Sequence, residues 1–151
     1  MARSLVFDRV GRVLAIVCAL AAGVLAGCGV PGEPFRPAQL GVGESVVYVY
    51  RPRSLLSPGP VDVFVDQQPA GRLTRNTYLA VVVEPGEHLV RVQRRSDATR
   101  LVLLGGGDSV MLEAGASLLG GFVALEDPGG DVARERIAGT RGPEEPFRLK
   151  R

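Results

Sequence analysis

Residue types that commonly build catalytic and metal sites are scarce in this chain of 151 residues. It contains one histidine (His88), two cysteines, no tryptophan and a single lysine (Lys150). A metal site needs several ligands and His88 has no second histidine to join it, so we expect no metal and no cofactor. Lys150 follows no glycine-rich loop, which excludes a phosphate-binding loop. We interpret His88 as a strand-end side chain bonded to the backbone.

Both cysteines lie near the N-terminus, in a pattern typical of a secretory signal. An apolar run over residues 13–26 follows a positively charged segment and ends beside Cys28. The positive charges are those of Arg3, Arg9 and Arg12. Three other interpretations stay open. The signal could be cut near Leu20-Ala21-Ala22, the run could be an uncleaved transmembrane helix at the short limit of span length, or the order of small residues could be chance.

The end of this run, Leu25-Ala26-Gly27-Cys28, resembles the lipobox of bacterial lipoprotein precursors. The resemblance implies that residues 1–27 are a signal peptide removed before Cys28, that a diacylglycerol is attached to the Cys28 thiol, and that the new amino group is acylated. One acyl chain binds a membrane only marginally, at about 0.8 kcal/mol per buried methylene, so two or three chains give lasting attachment. Gly29 differs from the aspartate of an inner-membrane retention signal. The resemblance therefore favours the periplasmic face of the outer membrane.

Removal of residues 1–27 changes what the composition indicates. The whole chain has 18 basic and 16 acidic residues, and the removed segment takes three arginines and Asp8, which leaves 15 of each sign. A neutral domain gives no support for nucleic acid as a partner, because nucleic-acid binding requires a basic surface. Cys18 leaves with the signal and Cys28 carries lipid. The exported part therefore has no disulfide to form and depends on its core.

The exported part divides into three predicted regions. Residues 28–43 are rich in glycine and proline and predict a flexible tether, about 20 Å long on average. Residues 44–140 predict one β-sandwich domain, and residues 141–151 a flexible, frayed tail. We find no repeat and no second domain.

Short apolar runs separated by proline, glycine and aspartate predict the strands. The predicted strands cover residues 46–50, 61–65, 70–73, 77–84, 87–95, 100–104 and 108–113, and a further apolar piece covers residues 118–125. The first is β-branched and aromatic throughout, which favours a central strand buried on both faces. Asp131 is expected to cap a short helix that ends at Ile137. The fold class is therefore all-β, a small antiparallel β-sandwich of about seven strands with one short C-terminal helix.

Several landmarks resemble a family of short bacterial lipoproteins with a domain of unknown function. They are Val47-Tyr48-Val49-Tyr50-Arg51-Pro52, Val61-Asp62-Val63-Phe64-Val65-Asp66, Tyr78 with Val81-Val82-Val83, Pro85-Gly86-Glu87-His88, and Leu101 in the strand before the glycines. This chain departs from the family at Gln67-Gln68, where a hairpin glycine is usual, and at Val110 and Met111, where tyrosines are usual. The resemblance implies a transthyretin- or PEGA-like β-sandwich and transfers no catalytic residue.

Two patterns could suggest a hydrolase. Gly107-Asp108-Ser109-Val110 follows a predicted strand, as the nucleophile does in lipase-like esterases, but the only histidine lies upstream on another strand. Asp62 and Asp66 share a strand face about 13 Å apart, beyond the separation of glycosidase carboxylates. We therefore interpret the first pattern as a turn and the two aspartates as a solvated face, and we expect no enzyme.

Tyr48, Tyr50, Arg51 and Arg53 are the candidate binding surface, because aromatic faces and arginine side chains suit sugars and carboxylates. Core packing of the tyrosines is the simpler interpretation. We expect a non-enzymatic, lipid-anchored module of the cell envelope that binds an envelope protein or peptidoglycan, with addition of a strand to a sheet edge as one binding mode. A carbohydrate-binding face at these residues, or a hydrolase or enzyme accessory domain, is the alternative. The carbohydrate hypothesis requires that Tyr48, Tyr50 and Arg51 are exposed together.

Overall fold

Two β-sheets pack face to face around a valine-rich core in the computed structural model, which describes residues 32–53, 59–116 and 123–149. The predicted fold class, an all-β sandwich, is confirmed. The signal peptide, the lipobox with Cys28, and the first residues of the predicted tether lie outside the described residues. So do residues 54–58 and most of the further apolar piece at residues 118–125.

The larger sheet has seven strands and the smaller sheet has four. The larger sheet contains β1 (Glu33–Pro34), β2 (Ser45–Arg51), β5 (Thr77–Val83), β8 (Ser109–Ala116), β9 (Val123–Glu126), β10 (Arg141–Gly142) and β11 (Phe147–Arg148). The smaller sheet contains β3 (Val61–Val65), β4 (Gln68–Leu73), β6 (Gly86–Gln93) and β7 (Asp97–Leu104). Its order is β4-β3-β6-β7, so β7 is an edge strand.

The predicted central strand is confirmed in β2, where all seven residues are buried. β2 pairs antiparallel with β5 on one side and parallel with β8 on the other. The parallel pair differs from the all-antiparallel expectation. The chain crosses to the smaller sheet after β2 and again after β5, so it re-enters the larger sheet at β8 in the direction of β2.

Valine and leucine side chains from both sheets fill the space between them. β3 alternates buried Val61, Val63 and Val65 with the half-buried Asp62 and Phe64. In β6 the sequence predicts that His88, Val90 and Val92 share one face, and the structure buries these three residues but not the residues between them. Apolar alternation with period two thus decides which face of each strand turns inward.

The outer face of the larger sheet is covered by other parts of the same chain. Val46, Tyr48, Tyr50, Tyr78 and Ala80 form a second buried cluster there, together with two residues of the helix. The chain segment before β2 packs on the same cluster through Phe35, Ala38 and Leu40. We expected this segment to be part of a tether, but its three apolar side chains find a hydrophobic surface that β2 and β5 expose.

The C-terminal segment also differs from its expectation as a frayed tail. β10 pairs with β1 and with the start of β5, and β11 pairs with Val81 and Val82 of β5. Phe147 and Leu149 pack against the core between the sheets. Gly142 lies so close to the Tyr78 ring that a Cβ atom would stand 2.5 Å from it, so only glycine fits this contact.

The helix α1 spans Gly130–Ala138 and buries Ala133 and Ile137. Our expectation that Asp131 caps it is wrong. The N-cap is Gly129, with φ 88° and no side-chain cap bond, and Asp131 lies in the first turn. There its carboxylate is favourably placed toward the positive helix N-terminus. Among the described residues, no helix combines the length and apolarity needed to cross a bilayer.

The sequence predicts a turn at Asp66-Gln67-Gln68-Pro69, and the structure has a turn at Asp66-Gln67, with Gln68 and Pro69 already in β4. The backbone of this turn is costly. Asp66 and Gln67 both have positive φ, 50° and 69°, as the central residues of a type I′ hairpin turn require. Glycine and asparagine adopt this conformation most easily. Here Asp66 offsets the cost, since its carboxylate oxygen Oδ1 accepts a hydrogen bond from the Leu89 backbone N–H at 2.9 Å.

Candidate functional site

The candidate surface of Tyr48, Tyr50, Arg51 and Arg53 does not exist as an exposed face. Tyr48, Tyr50 and Arg51 are 3%, 0% and 2% exposed, while Arg53 is exposed. The Tyr48 hydroxyl accepts a hydrogen bond from the Ala38 backbone N–H at 2.7 Å, which closes the segment before β2 over the ring. Tyr48, Tyr50 and Arg51 are therefore not exposed together, although the carbohydrate hypothesis requires it, and the tyrosines pack in the core, as the simpler interpretation has it.

Tyr50 and Arg51 serve the interior of the domain in different ways. The Tyr50 hydroxyl donates to Oε2 of Glu113 at 3.1 Å, and Nη1 of Arg136 on α1 donates to the same oxygen at 2.7 Å. Burial raises the pKa of Tyr50, and the charge of Glu113 adds to this effect. Arg51 donates from Nη1 to the carbonyl of Gly59 at 2.6 Å. These contacts join β2 to β8, to the helix and to the loop before β3.

His88 is bonded at both ring nitrogens. Nδ1 lies 2.7 Å from Oδ2 of Asp66, and Nε2 lies 2.7 Å from the backbone carbonyl of Glu84. Both partners are acceptors, so an imidazolium satisfies both hydrogen bonds whereas a neutral ring satisfies one. The expected backbone bond is confirmed, and the Asp66 contact is an addition. This arrangement ties the β3–β4 turn to the crossing from β5 to β6.

The residues of the two patterns that could suggest a hydrolase lie in a turn and in ion pairs. Gly105 to Asp108 form a turn, in which the Gly105 N–H donates to Oδ2 of Asp108 at 2.7 Å, and Ser109 begins β8. Both ring nitrogens of His88 are engaged elsewhere. Asp62 pairs with Arg72 at 2.7 Å, so Asp62 and Asp66 each have a partner rather than forming a purely solvated face. Within the described ranges, no group of three or more histidine, cysteine, aspartate or glutamate residues could hold a metal ion.

One open cleft, of about 780 Å³, lies between the segment before β2 and the C-terminal segment. Tyr78 and Ala80 line it together with Pro37, Pro146 and Phe147, and several charged side chains stand around it. The charged residues are Glu33, Arg36, Glu144, Glu145 and Arg148. Of these, Arg148 is held by an ion pair with Glu44. The two chain segments that the sequence predicted to be flexible form this cleft by packing on β5.

The smaller sheet presents an apolar stripe along its edge strand β7. β7 pairs with β6 over its full eight residues, and in the described part of the chain no strand pairs with its other side. Leu101 and Leu103 are 61% and 76% exposed, and Leu89, which pairs with Leu101, is 40% exposed. Val102 and Leu104 between them face the core. Exposed apolar residues that alternate along an unpaired edge are unusual, because such edges template pairing with other chains.

Sequence reasoning missed these leucines for a definable reason. Residues 101–104 are Leu-Val-Leu-Leu, a run that indicates a strand but not which of its faces is outside. Only the pairing of Leu101 with Leu89 and of Leu103 with Glu87 shows that this side faces away from the core. Beside the stripe, the Arg91 guanidinium covers the Phe64 ring at 4.2 Å from its centroid, a cation–π contact that covers one further apolar group.

Comparison with known proteins gives no relative. No protein-family model matches the chain, and neither a curated protein nor a solved structure matches it.

Proposed function

We propose that the chain is a non-enzymatic lipoprotein of the bacterial cell envelope that binds an extended segment of an envelope protein along β7. Diacylglycerol and an N-acyl chain on Cys28 hold it to the membrane, with the periplasmic face of the outer membrane as its site. The observation that carries the binding proposal is the edge of β7, which pairs with no strand of the described residues and bears the outward Leu101 and Leu103.

The chemistry of a sheet edge favours a peptide partner. The free N–H and C=O groups of an edge strand bind an extended chain through main-chain hydrogen bonds, and pockets for alternate side chains give specificity. On β7 the outward positions 101 and 103 supply apolar contacts two residues apart, which suits a partner strand that is apolar at alternate residues. Burial of such leucines contributes about 1.5–3 kcal/mol each when complete.

The anchor part of the proposal rests on the sequence around Cys28. A positive segment, an apolar run and Leu25-Ala26-Gly27-Cys28 occur in the order that a lipoprotein precursor requires. The first described residue, Gly32, is four residues beyond Cys28. A folded domain that starts so soon after the anchor stays close to its membrane.

The alternatives receive less support from the described residues. A carbohydrate-binding face at Tyr48, Tyr50 and Arg51 would need solvent-exposed side chains, and these three side chains are buried. A serine hydrolase would need a histidine beside Ser109, and the ring of His88 is bonded to Asp66 and Glu84 instead.

The anchor is tested by intact mass and membrane fractionation of the expressed chain. We expect the wild-type product to start at residue 28, to carry acyl mass and to sediment with membranes. Cys28→Ala should stay unprocessed and unlipidated, whereas the matched control Cys18→Ala should behave like wild type because Cys18 lies within the removed segment. A wild-type product without lipid, or one cut elsewhere, would reject the anchor.

The binding surface is tested by photo-crosslinking in living cells. A photoreactive residue replaces Leu101 or Leu103 in the lipidated chain, and the control carries it at Val132, an exposed apolar residue on α1. We expect a discrete crosslinked protein from the two β7 positions and none from Val132. A product with twice the mass of the chain would identify a second copy as the occupant and correct the proposal, and no product from either β7 position would refute it.

A further inference from the structure

The two ends of the sandwich carry opposite charges although the exported chain is neutral. β2, β4, β6 and β8 all run toward one end, which we call the basic end, and β3, β5, β7 and β9 start from it. The described connections at this end, residues 51–53, 59–60, 74–76 and 94–96, contain no aspartate or glutamate. They contain five arginines: Arg51, Arg53, Arg75, Arg94 and Arg95.

The opposite end is acidic. Its connections, residues 41–44, 66–67, 84–85 and 105–108, contain Glu44, Asp66, Glu84 and Asp108 but no arginine or lysine. Glu44 is paired with Arg148, so part of this charge is compensated. Folding therefore separates charges that the linear sequence intersperses.

Three arginines of the basic end, Arg51, Arg75 and Arg94, lie close to one another. Arg51 is bonded to Gly59, and Nη2 of Arg94 lies 3.0 Å from the position that a Cβ atom on Gly59 would occupy. Burial lowers the pKa of Arg51, and the positive charges of Arg94 and Arg75 lower it further. Arg53, Arg75 and Arg95 are exposed, and none of them forms an ion pair with a carboxylate of the described ranges. An anionic surface that approaches these arginines reduces the repulsion among their positive charges.

The chain enters the domain near this end. Nη1 of Arg141 donates to the Gly32 carbonyl at 3.1 Å, and Arg141 pairs with Thr77, the first residue of β5. The acidic end lies at the other end of β5, seven residues or about 20 Å away. Gly32 is four residues beyond Cys28, a stretch that reaches about 14 Å at most.

We propose that the basic end docks on anionic phospholipid headgroups of the membrane that holds the anchor, an inference that rests on the proposed lipidation of Cys28. The short connection holds the arginines near the headgroups, where attraction over a Debye length of about 8 Å acts on them. Docking at this end orients the strands roughly perpendicular to the plane of the membrane. The edge of β7 is then presented to the side, open to a partner along its length.

The test uses the full-length chain, processed and lipidated in a bacterial host, purified and reconstituted into vesicles. One vesicle preparation contains phosphatidylcholine alone, and the other contains phosphatidylcholine with phosphatidylglycerol. The chain has no tryptophan, so a single tryptophan reports its own surroundings. Thr99→Trp places the reporter on β7 toward the basic end, and Leu103→Trp places it on the same strand toward the acidic end. A lipid with a spin-labelled headgroup quenches tryptophan that lies near the membrane.

We expect quenching of the reporter at Thr99 in the anionic vesicles, weaker quenching in the neutral ones, and little quenching at Leu103 in either. High salt should remove the difference between the vesicles. Arg75→Gln with Arg95→Gln should lower the ratio of docked to undocked protein about 25-fold, since each arginine near an anionic surface contributes about fivefold. The matched control, Arg100→Gln with Arg134→Gln, removes the same charge from the middle of β7 and from α1 and should change nothing.

Each part of the proposal fails in its own way. Flotation of the wild-type chain with neutral vesicles at high salt reports the lipid anchor alone, so a chain that does not float there refutes the proposed function. A chain that floats but shows equal quenching at Thr99 in both vesicle types refutes docking and leaves the anchor intact. Equal loss of quenching in both double variants, with unchanged circular dichroism, would assign the attraction to overall charge and also refute docking by the basic end.

Discussion

Phe35 decides whether the segment before β2 is a tether or part of the domain. In the structure its ring packs edge-to-face on Tyr48 and on Tyr78, with centroid distances of 5.4 and 5.1 Å and interplanar angles of 75° and 78°. A flexible tether would make no such contacts. We therefore expect that Phe35→Ala destabilises the domain.

The size of the effect follows from burial and ring geometry. Truncation of a fully buried phenylalanine costs about 3–5 kcal/mol, and Phe35 is half-buried. Each aromatic pair contributes about 0.5–1.5 kcal/mol beyond the area that it buries. Together these values predict a loss of about 2 kcal/mol in the free energy of unfolding.

The assay is urea unfolding of the purified chain, followed by far-ultraviolet circular dichroism. Gln39→Ala is the matched control, because Gln39 is an exposed residue of the same segment and should change stability by less than about 0.5 kcal/mol. A loss below about 0.5 kcal/mol for Phe35→Ala would show that the segment is a tether. The folded domain would then begin more than four residues beyond Cys28, the proposed site of the anchor.

Three further changes test the packing. Gln67→Gly should stabilise the domain by about 0.5–1 kcal/mol in urea unfolding, because glycine adopts the positive φ of this turn without strain; a destabilised variant would contradict the type I′ turn. Gly142→Ala should cost about 2 kcal/mol, since its Cβ collides with the Tyr78 ring; unchanged stability would mean that the C-terminal segment is not packed there. Because folding raises the pKa of Tyr50, the neutral hydroxyl stabilises the folded domain fully below pH about 10, the ordinary pKa of tyrosine. This contribution to the free energy of unfolding is lost as the pH rises above that value. Tyr50→Phe should lose about 1 kcal/mol near neutral pH with the hydrogen bond to Glu113, and its stability should fall less steeply above pH about 10 than that of wild type.

Local patterns predicted much of the sandwich correctly. The alternation in residues 61–65 and 88–92, the turn at Asp66-Gln67 and the doubly buried strand β2 are properties of a few neighbouring residues, and the structure has them where the sequence indicated. The helix was also located, but its cap was not. Gly129 is the N-cap residue, and its backbone has a positive φ. The residue pattern around Asp131 does not predict this backbone conformation.

The other differences share one cause, which is contact between residues distant in the chain. Phe35 and Phe147 lie in segments rich in proline and glycine. The residues around them do not indicate that both segments pack on β5. The burial of Tyr48 and Tyr50 depends on the helix and on the segment before β2, which lie more than 80 residues apart in the sequence. The outward direction of Leu101 and Leu103 depends on which strands flank β7.

The sequence by itself determined the fold class, because strand periodicity and turn residues act over a few neighbours, and it alone carries the case for the lipid anchor. Tertiary structure decided which side chains meet solvent. It buried the tyrosines, packed the supposed tether and tail on β5, exposed the leucines of β7 and gathered five arginines at one end of a neutral domain. Burial and charge separation depend on the order and direction of strands distant in the sequence, and no local pattern encodes that order.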